Sequence, residues 1–328
     1  MEKILTVSIA AYNVEQYLDE CLAPFIQSEV LEKCEILIID DGATDHTDEI
    51  AQKYVDQYPD TFKLIQKQNG GWGSTINTGI RLATGKYFKQ LDGDDYFSKE
   101  NLLGFITALE CCDCDMIITP FITFDSVSGN VLRVVDIANS EKLEYNKSFL
   151  ANDFSEKFII EMHLCTFKTS LLKQNRIRVT EHAFYTDVEF VIKAFSNVKS
   201  IICFPMTVYC YRVAREGQSI SISGIRKHYH EHRTILQKLL EFVSHLPEND
   251  NKRILKNRVN CMVRTQYFFY LCLEPNREHK KEIRDFDKWL KKKYPCNYHT
   301  NVKKINLLRS SQFTLYRIIC LVTKKQFE

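Results

Sequence analysis

The stretch ATGKYFKQLDGDD, residues 83–95, runs from a short strand-like segment into a turn with three carboxylates in four positions, Asp92, Asp94 and Asp95. Carboxylates held that close repel one another unless a cation is near, so a solvated structural turn is a costly use of them. Gly93 lets the backbone turn tightly between the first two. A hard divalent ion, Mg2+ or Mn2+, takes oxygens from one or two carboxylates and from phosphates and leaves the rest to water. The spacing suits such an ion.

Outward from this turn, short apolar runs at 4–11, 35–39, 62–66, 86–91 and 116–119 alternate with helical patterns at 15–30, 45–57, 74–83 and 99–110. That βα repeat predicts an α/β fold with a mostly parallel sheet covered by helices on both faces. Each of the first four strands ends in polar residues: Tyr12-Asn13, Asp40-Asp41-Gly42, Asn69-Gly70-Gly71, and the Asp92–Asp95 turn. Open α/β sheets bind ligands outside the carboxyl ends of their strands, so four such ends mark one nucleotide-sized crevice. Beyond 120 the pattern is mixed, with a hairpin at 121–135 around Ser128-Gly129-Asn130, a helix near 184–195 and strands near 199–203 and 207–212. From Gly224 the text is helical, punctuated by Pro247 and Pro275. The expected division is a catalytic domain over 1–222, with a donor half (1–119) and an acceptor half (120–222), then a helical domain over 223–328.

The composition, 45% hydrophobic and 26% charged over 328 residues, is that of a globular protein and argues against disorder. The net charge of +2 conceals an asymmetry: from Arg277 onward Lys and Arg outnumber acids 14 to 5, a local +9 that leaves −7 on residues 1–276. A basic end suits an anionic surface, membrane or nucleic acid, and equally a solvated helix face. No run reaches the roughly 18 apolar residues of a bilayer span. The twelve cysteines are scattered, and MEKILTVSIAAYN at the start lacks the regions of a signal peptide, so they read as reduced thiols of a cytoplasmic protein. Cys111, Cys112 and Cys114 cluster without a second pair at zinc spacing, and read as buried small side chains.

The stretches VSIAAYN (7–13), IIDDGATDHT (38–47), NGGWGSTINTG (69–79), ATGKYFKQLDGDD (83–95) and FYTDVEF (184–190), in that order, resemble family 2 glycosyltransferases of the GT-A fold. The resemblance covers roughly the first 220 residues. It implies a Rossmann-like GT-A domain, a divalent cation, and a nucleoside-diphosphate-sugar donor, UDP by family habit. It also implies inverting transfer to a hydroxyl of a glycan, lipid-linked saccharide or glycoprotein in bacterial cell-surface chemistry. Residue by residue, it makes Asp94 the direct metal ligand, Asp92 a contact to ribose or to metal-bound water, and Asp95 a contact to the transferred sugar. Asp40 and Asp41 fall where an acid reads base and ribose, accepting from their donors, while Asp45 reads as a helix cap. Ala11, Tyr12 and Asn13 match the first-loop contacts to the base, with a plain helix cap the other reading of Asn13.

Asn69-Gly70-Gly71-Trp72-Gly73 is similar to a phosphate-cradling loop at a helix N-terminus, without the spacing of a P-loop or dinucleotide fingerprint. Trp72 is either a sugar-stacking ring or a packing plug, and Asn77 matches a residue lining the donor pocket. The family takes its general base from an acid pair; here that pair is Thr186-Asp187, so Asp187 acts without the first acid, with Glu181 or Glu189 as neighbours. His163, ahead of the strand-like MHLCTFK stretch, reads as a structural histidine or as a contact to phosphate or metal. The segment from Tyr211-Arg212 to Gln218-Ser219 resembles one that closes over the diphosphate, with Arg212 or Arg215 pairing with its charge. The lack of a Gln-x-x-Arg-Trp motif argues for one sugar per encounter.

Between Val302 and Lys325, Ile305, Leu308, Leu315, Ile319 and Val322 fall near helical spacing among Lys303, Lys304, Arg309, Arg317, Lys324 and Lys325. That predicts a basic amphipathic helix, docked peripherally on the inner leaflet or packed on its own domain. Three rivals to the transferase reading remain. One is a nucleotide-sugar-binding module without transfer, favoured by Thr186. Another is a phosphohydrolase using Asp92 and Asp94, disfavoured by Asp95 and Tyr96 after them. The last is a nucleic-acid binder, for which no recognisable module accompanies the charge.

Overall fold

A computed structural model describes residues 2–155, 158–213 and 221–324. The chain divides into two compact units, Met1–Arg215 and Glu216–Glu328.

The first unit is built on β1 (Leu5–Ala11), β2 (Cys34–Asp40), β3 (Phe62–Gln66) and β4 (Tyr87–Asp92). β1 lies between β2 and β4, parallel to both, and β3 runs parallel along β2. Nearly every residue of β1 and β2 is buried, which is why these strands read as unbroken apolar runs and not as an alternation. The helix Trp72–Leu82 packs on this sheet. A Cβ on Gly79 would stand 2.1 Å from the Ser8 Oγ, so only glycine permits that approach.

The remaining strands are β5 (Tyr96–Phe97), β6 (Met116–Ile118), β7 (Phe121–Asp125), β8 (Val131–Val135), β9 (Ser148–Phe149), β10 (Cys165–Lys168), β11 (Ile201–Cys203) and β12 (Tyr209–Val213). The larger sheet has the order β3-β2-β1-β4-β10-β6-β11-β9, and the smaller one β5-β12-β7-β8. The parallel run ends at β4, where β10 pairs antiparallel and brings the chain's middle against the first half. β7 and β8 form the expected hairpin. The architecture is the mixed, mostly parallel α/β arrangement that the sequence implies. The acid turn joins β4 to β5, so Asp92–Asp95 is the step from the larger sheet into the smaller one.

Two local expectations change. The helix expected over 15–30 is two, Leu18–Leu22 and Ser28–Lys33, separated by a tight turn at Ala23–Phe25 that holds Pro24; proline has no N–H for an interior helix bond. The thiols also differ from expectation: Cys112 is buried, but Cys111 is exposed and Cys114 half-buried.

The second unit contains the long helices Ile222–His245, Asp250–Cys272 and Arg277–Lys293. Each starts at a side-chain cap: Ser221, Asn249 and Asn276 accept from the backbone N–H groups of Gly224, Lys252 and His279. Pro247 and Pro275 fall in the joints. The single basic helix expected over 302–325 is instead two, Lys303–Ser310 and Tyr316–Lys324. Gln312 and Phe313 between them sit at φ 49° and 64°, a left-handed conformation that breaks a helix. Ile305, Leu308 and Ile319 are buried in this unit, whereas Val322 is half exposed beside Ile318 and Leu321; Lys325 lies outside the described residues. Arg309, expected on a charged face, donates to Asp287 at 2.7 Å and to the Tyr267 hydroxyl at 2.9 Å, with its guanidinium over the Tyr298 ring. Among the described residues, no helix is long and apolar enough to cross a membrane.

Candidate functional site

The loops after β1 and β2 are clipped together. Asn13 adopts φ 53° and its Oδ1 accepts from the Thr44 N–H at 2.8 Å; it caps no helix. The Val14 N–H donates to Thr47 Oγ1, the Glu15 N–H to Asp45, and the His46 N–H to Glu15. Asp45 also accepts from the Thr47 N–H at 3.1 Å, at the start of the helix Thr47–Gln57. Tyr12, beside buried Ala11, leaves its ring half exposed at the mouth of these loops. Asp40 is buried and accepts from the Ala43 N–H at 2.7 Å, closing the second loop.

Asp41 is engaged differently from the expectation. Its oxygens accept from Lys67 at 2.6 Å, from the Gly70 and Gly71 N–H groups at 2.9 and 2.8 Å, and from Ser74 Oγ at 3.0 Å. Four donors converge on one buried carboxylate, so Asp41 shapes the glycine loop. Gly71, at φ 78°, caps the helix Trp72–Leu82. Asn69 stays exposed at the loop's outer side. Trp72 has a polar role that neither expectation included: its indole N–H donates to Asp92 Oδ1 at 2.6 Å, tying the loop to the acid turn.

Within the turn, the Gly93 N–H donates to the Ala10 carbonyl, and a Cβ on Gly93 would lie 2.9 Å from that oxygen. Asp95 is buried and accepts from Tyr209 Oη and from the Arg212 N–H, both at 2.7 Å. Burial, and then the charges of Asp94 and Asp92, push its carboxyl well above the usual range; a bound cation would reverse that balance. Arg212 is engaged by the protein itself. It is buried between the rings of Tyr17 and Phe124, its Nε donates to the Asp94 carbonyl at 2.8 Å, and it pairs with Glu20. It braces the turn from behind. Arg215, Gln218 and Ser219 lie outside the described residues.

His163, open to two readings from sequence, lies beside the acid turn. A ring nitrogen of His163 and carboxylate oxygens of Asp92 and Asp95 lie within 4.8 Å of one another, the one such group among the described residues. The imidazole is stacked on Tyr211 at 4.4 Å between centroids and edge-on to Tyr209 at 4.8 Å. Beneath it lies Lys89, fully buried in β4, whose Nζ donates to the carbonyls of His163 and Cys165 at 3.0 and 3.1 Å. Burial draws Lys89 down to about 7, and burial with the Lys89 charge draws His163 down to about 3, so the imidazole is neutral at physiological pH. A lysine amid the apolar run of β4 was the visible signal for this feature.

Asp187 is the second residue of the helix Thr186–Phe195, entered through Tyr185 at φ 65°. Burial, and then the charges of Asp95, Asp92, Asp94 and Asp187, raise Tyr211 above its ordinary value. Its expected acidic neighbours turn elsewhere: Glu189 is buried against Lys193 and the Thr180 N–H, and Glu181 pairs with Arg178 and Asn77. The Asn77 amide exchanges hydrogen bonds with both the N–H and the carbonyl of Val179, holding the 179–182 strap. The His182 N–H donates to the Gly70 carbonyl, so the strap and the glycine loop are clasped together.

A mostly parallel sheet whose polar strand-end loops gather around an acid turn is the crevice that open α/β sheets offer to a ligand. Sequence comparison narrows this. The profile of glycosyl transferase family 2 matches residues 6–175; the chain belongs to that family. Relatives include an uncharacterized glycosyltransferase of Mycoplasma pneumoniae, 29% identical over 67% of this chain and 71% of that protein. Another is the poly(ribitol-phosphate) beta-glucosyltransferase of Bacillus spizizenii, 28% identical over 67% of this chain but only 34% of that protein. Among solved structures, residues 1–349 of Staphylococcus aureus TarS, in complex with UDP-GlcNAc, superpose with a TM-score of 0.71 at 20% identity, covering 98% of this chain and 92% of that one. The mannosyltransferase PcManGT of Pyrobaculum calidifontis, in complex with GDP-Man and Mn2+, gives 0.56 at 15% identity, covering 98% of this chain and 87% of that one. At those identities the likeness is one of fold.

Proposed function

We propose that this glycosyltransferase is a metal-dependent, inverting and non-processive enzyme that moves a sugar from a nucleoside-diphosphate donor, UDP first, to a hydroxyl of a cell-surface glycan or polyol-phosphate acceptor. The observation that carries the reading is the tie of the clasped glycine loop to the acid turn at the sheet's carboxyl edge. The complexes of the fold neighbours, with UDP-GlcNAc in one and with GDP-Man and Mn2+ in the other, support a nucleotide-sugar donor.

In this reading the first two loops, with Ala11, Tyr12, Asn13 and Asp40, hold base and ribose, and Gly70 and Gly71 approach the diphosphate. The carboxylates of the turn fit a divalent cation: three acids in four residues, one of them buried, are the donor set that a hard ion takes. Asp92 and Asp94 are the pair that the family resemblance assigns to it. When bound, that ion offsets negative charge on the departing diphosphate. Asp187 accepts the proton of the acceptor hydroxyl as its oxygen bonds to the anomeric carbon, and the nucleoside diphosphate leaves with the electrons of the broken bond. Trp72 holds Asp92 in place throughout.

A thermal-shift screen of nucleotide-sugars with and without Mn2+ tests the donor, since a ligand bound only by the folded state raises the melting temperature. No shift with any UDP-, GDP- or dTDP-sugar would remove the reading. The chain is placed by this proposal at the cytoplasmic face of the membrane, with Ile318, Leu321, Val322 and the basic residues of the tail meeting anionic lipid. Flotation with anionic vesicles, with and without residues 302–328, decides it: an intact protein that ignores the vesicles ends the docking idea.

A further inference from the structure

The acid turn supplies oxygens from one short segment, yet the nearest additional donor comes from 70 residues away and is of a different kind. His163 lies in the tight turn that precedes β10, and the antiparallel pairing of β10 with β4 delivers its ring to Asp92 and Asp95. The side chain is held from every direction that would fix an orientation. Tyr211 stacks on one face, Tyr209 and Phe121 press from the sides, and Lys89 fastens its carbonyl from below. Its Nδ1 is nevertheless buried with no hydrogen-bond partner. A buried ring nitrogen left unsatisfied is costly, and structural histidines are ordinarily satisfied. His232 in the second unit shows the ordinary case, with Nδ1 at 2.7 Å from Gln266 Oε1.

We infer that the His163 imidazole is a further protein ligand of the cation, added to the carboxylates of the acid turn from the side of Asp92 and Asp95, and that this nitrogen donor makes the site prefer Mn2+ to Mg2+. The inference rests on the metal-dependent transferase reading and adds the identity of a ligand and of the ion. Ligand atoms on opposite sides of an octahedral Mg2+-sized ion stand about 4 Å apart, so a spread of no more than 4.8 Å is closed by a small side-chain adjustment. Oxygen-only sites suit Mg2+ and Mn2+ alike, whereas an imidazole favours the transition ion. Lys89 acts here as a positioning residue: it fixes the backbone from which the ring projects, and β4 carries it on the same strand as Asp92.

The test is pulsed electron paramagnetic resonance of the full chain loaded with MnCl2, alone and with UDP, together with calorimetric titration of MnCl2 and MgCl2 into the wild type and His163→Gln. Expected are nitrogen modulation from a directly bound imidazole in the wild type, its loss in His163→Gln, and a fall of about tenfold or more in the Mn2+-over-Mg2+ affinity ratio. Melting curves without metal check that the variant folds; if it does not, the nitrogen signal of the wild type decides alone. Mn2+ bound without nitrogen modulation, or a variant with an unchanged affinity ratio, overturns the ligand assignment and leaves the transferase reading standing. A wild type that binds neither ion in either condition overturns both this inference and the metal dependence.

Discussion

Two glycines in helices of the first unit predict opposite outcomes for the same substitution. Gly104 lies exposed within the helix Lys99–Glu110, and a Cβ there meets nothing within 4 Å; Gly104→Ala gains helix propensity, about 1 kcal/mol. Gly73, near the start of the helix Trp72–Leu82, is buried, and its Cβ would stand 2.0 Å from the Thr180 carbonyl oxygen. Carbon and oxygen must part by about 1 Å to reach a tolerable contact, an overpacking strain of about 1–3 kcal/mol. For a unit of this size that is a melting temperature lower by roughly 3 to 9 °C. The displacement opens the clasp between the glycine loop and the 179–182 strap, which carries Trp72 and its bond to Asp92 at one end and leads to Asp187 at the other. A misplacement of about 1 Å at reacting groups costs on the order of 10²-fold in rate. The assay is a melting curve for each variant with sugar transfer measured beside it. If Gly73→Ala melts no lower than the wild type and transfers at its rate, the clasp does not hold the site together.

Other outcomes follow from single contacts. Asp187→Ala should lower turnover by about 10²- to 10⁴-fold while UDP binding is retained; intact acceptor-dependent turnover would exclude Asp187 as the base. Trp72→Phe keeps the ring and removes the N–H to Asp92, a bond to a charged acceptor of about 1.5–3 kcal/mol, so donor affinity measured by calorimetry should drop about tenfold or more; an unchanged value would make the bond incidental. Burial holds His232 at about 4, below its ordinary 6.5, so the unfolded chain takes up the proton first and stability falls as pH drops from 6.5 toward 4. At pH 5 the loss is about 2 kcal/mol; a helical-unit transition that does not move between pH 7 and pH 5 contradicts this, and His232→Gln should flatten the slope.

The parallel strands and their polar ends were legible because each is a local pattern: an apolar run, then Asp, Asn or Gly. The hairpin at Phe121–Val135 and the helix before Asp187 were legible for the same reason. What the sequence could not assign was the direction of polar side chains. Asp41, Asn77 and Arg212 stand at positions that suggest a ligand, yet their partners are the glycine loop, Val179 and the Asp94 carbonyl, 30 to 118 residues away in the chain. His163 was ambiguous because only the pairing of β10 with β4 decides what it faces. In the tail the hydrophobic period was real, but Gln312 and Phe313 carry no strong local signal for the left-handed turn that divides it.

The insertion of β10 beside β4 also sets an order in time. Lys89 and the carbonyl of His163 are 74 residues apart, so on the ribosome β4 is finished long before anything can cover its outer edge. At about 5–20 residues per second that interval is roughly 4 to 15 seconds, during which a lysine destined for full burial sits on an open sheet edge. The edge of β4 is thus closed late, by the segment that carries His163 to the acid turn.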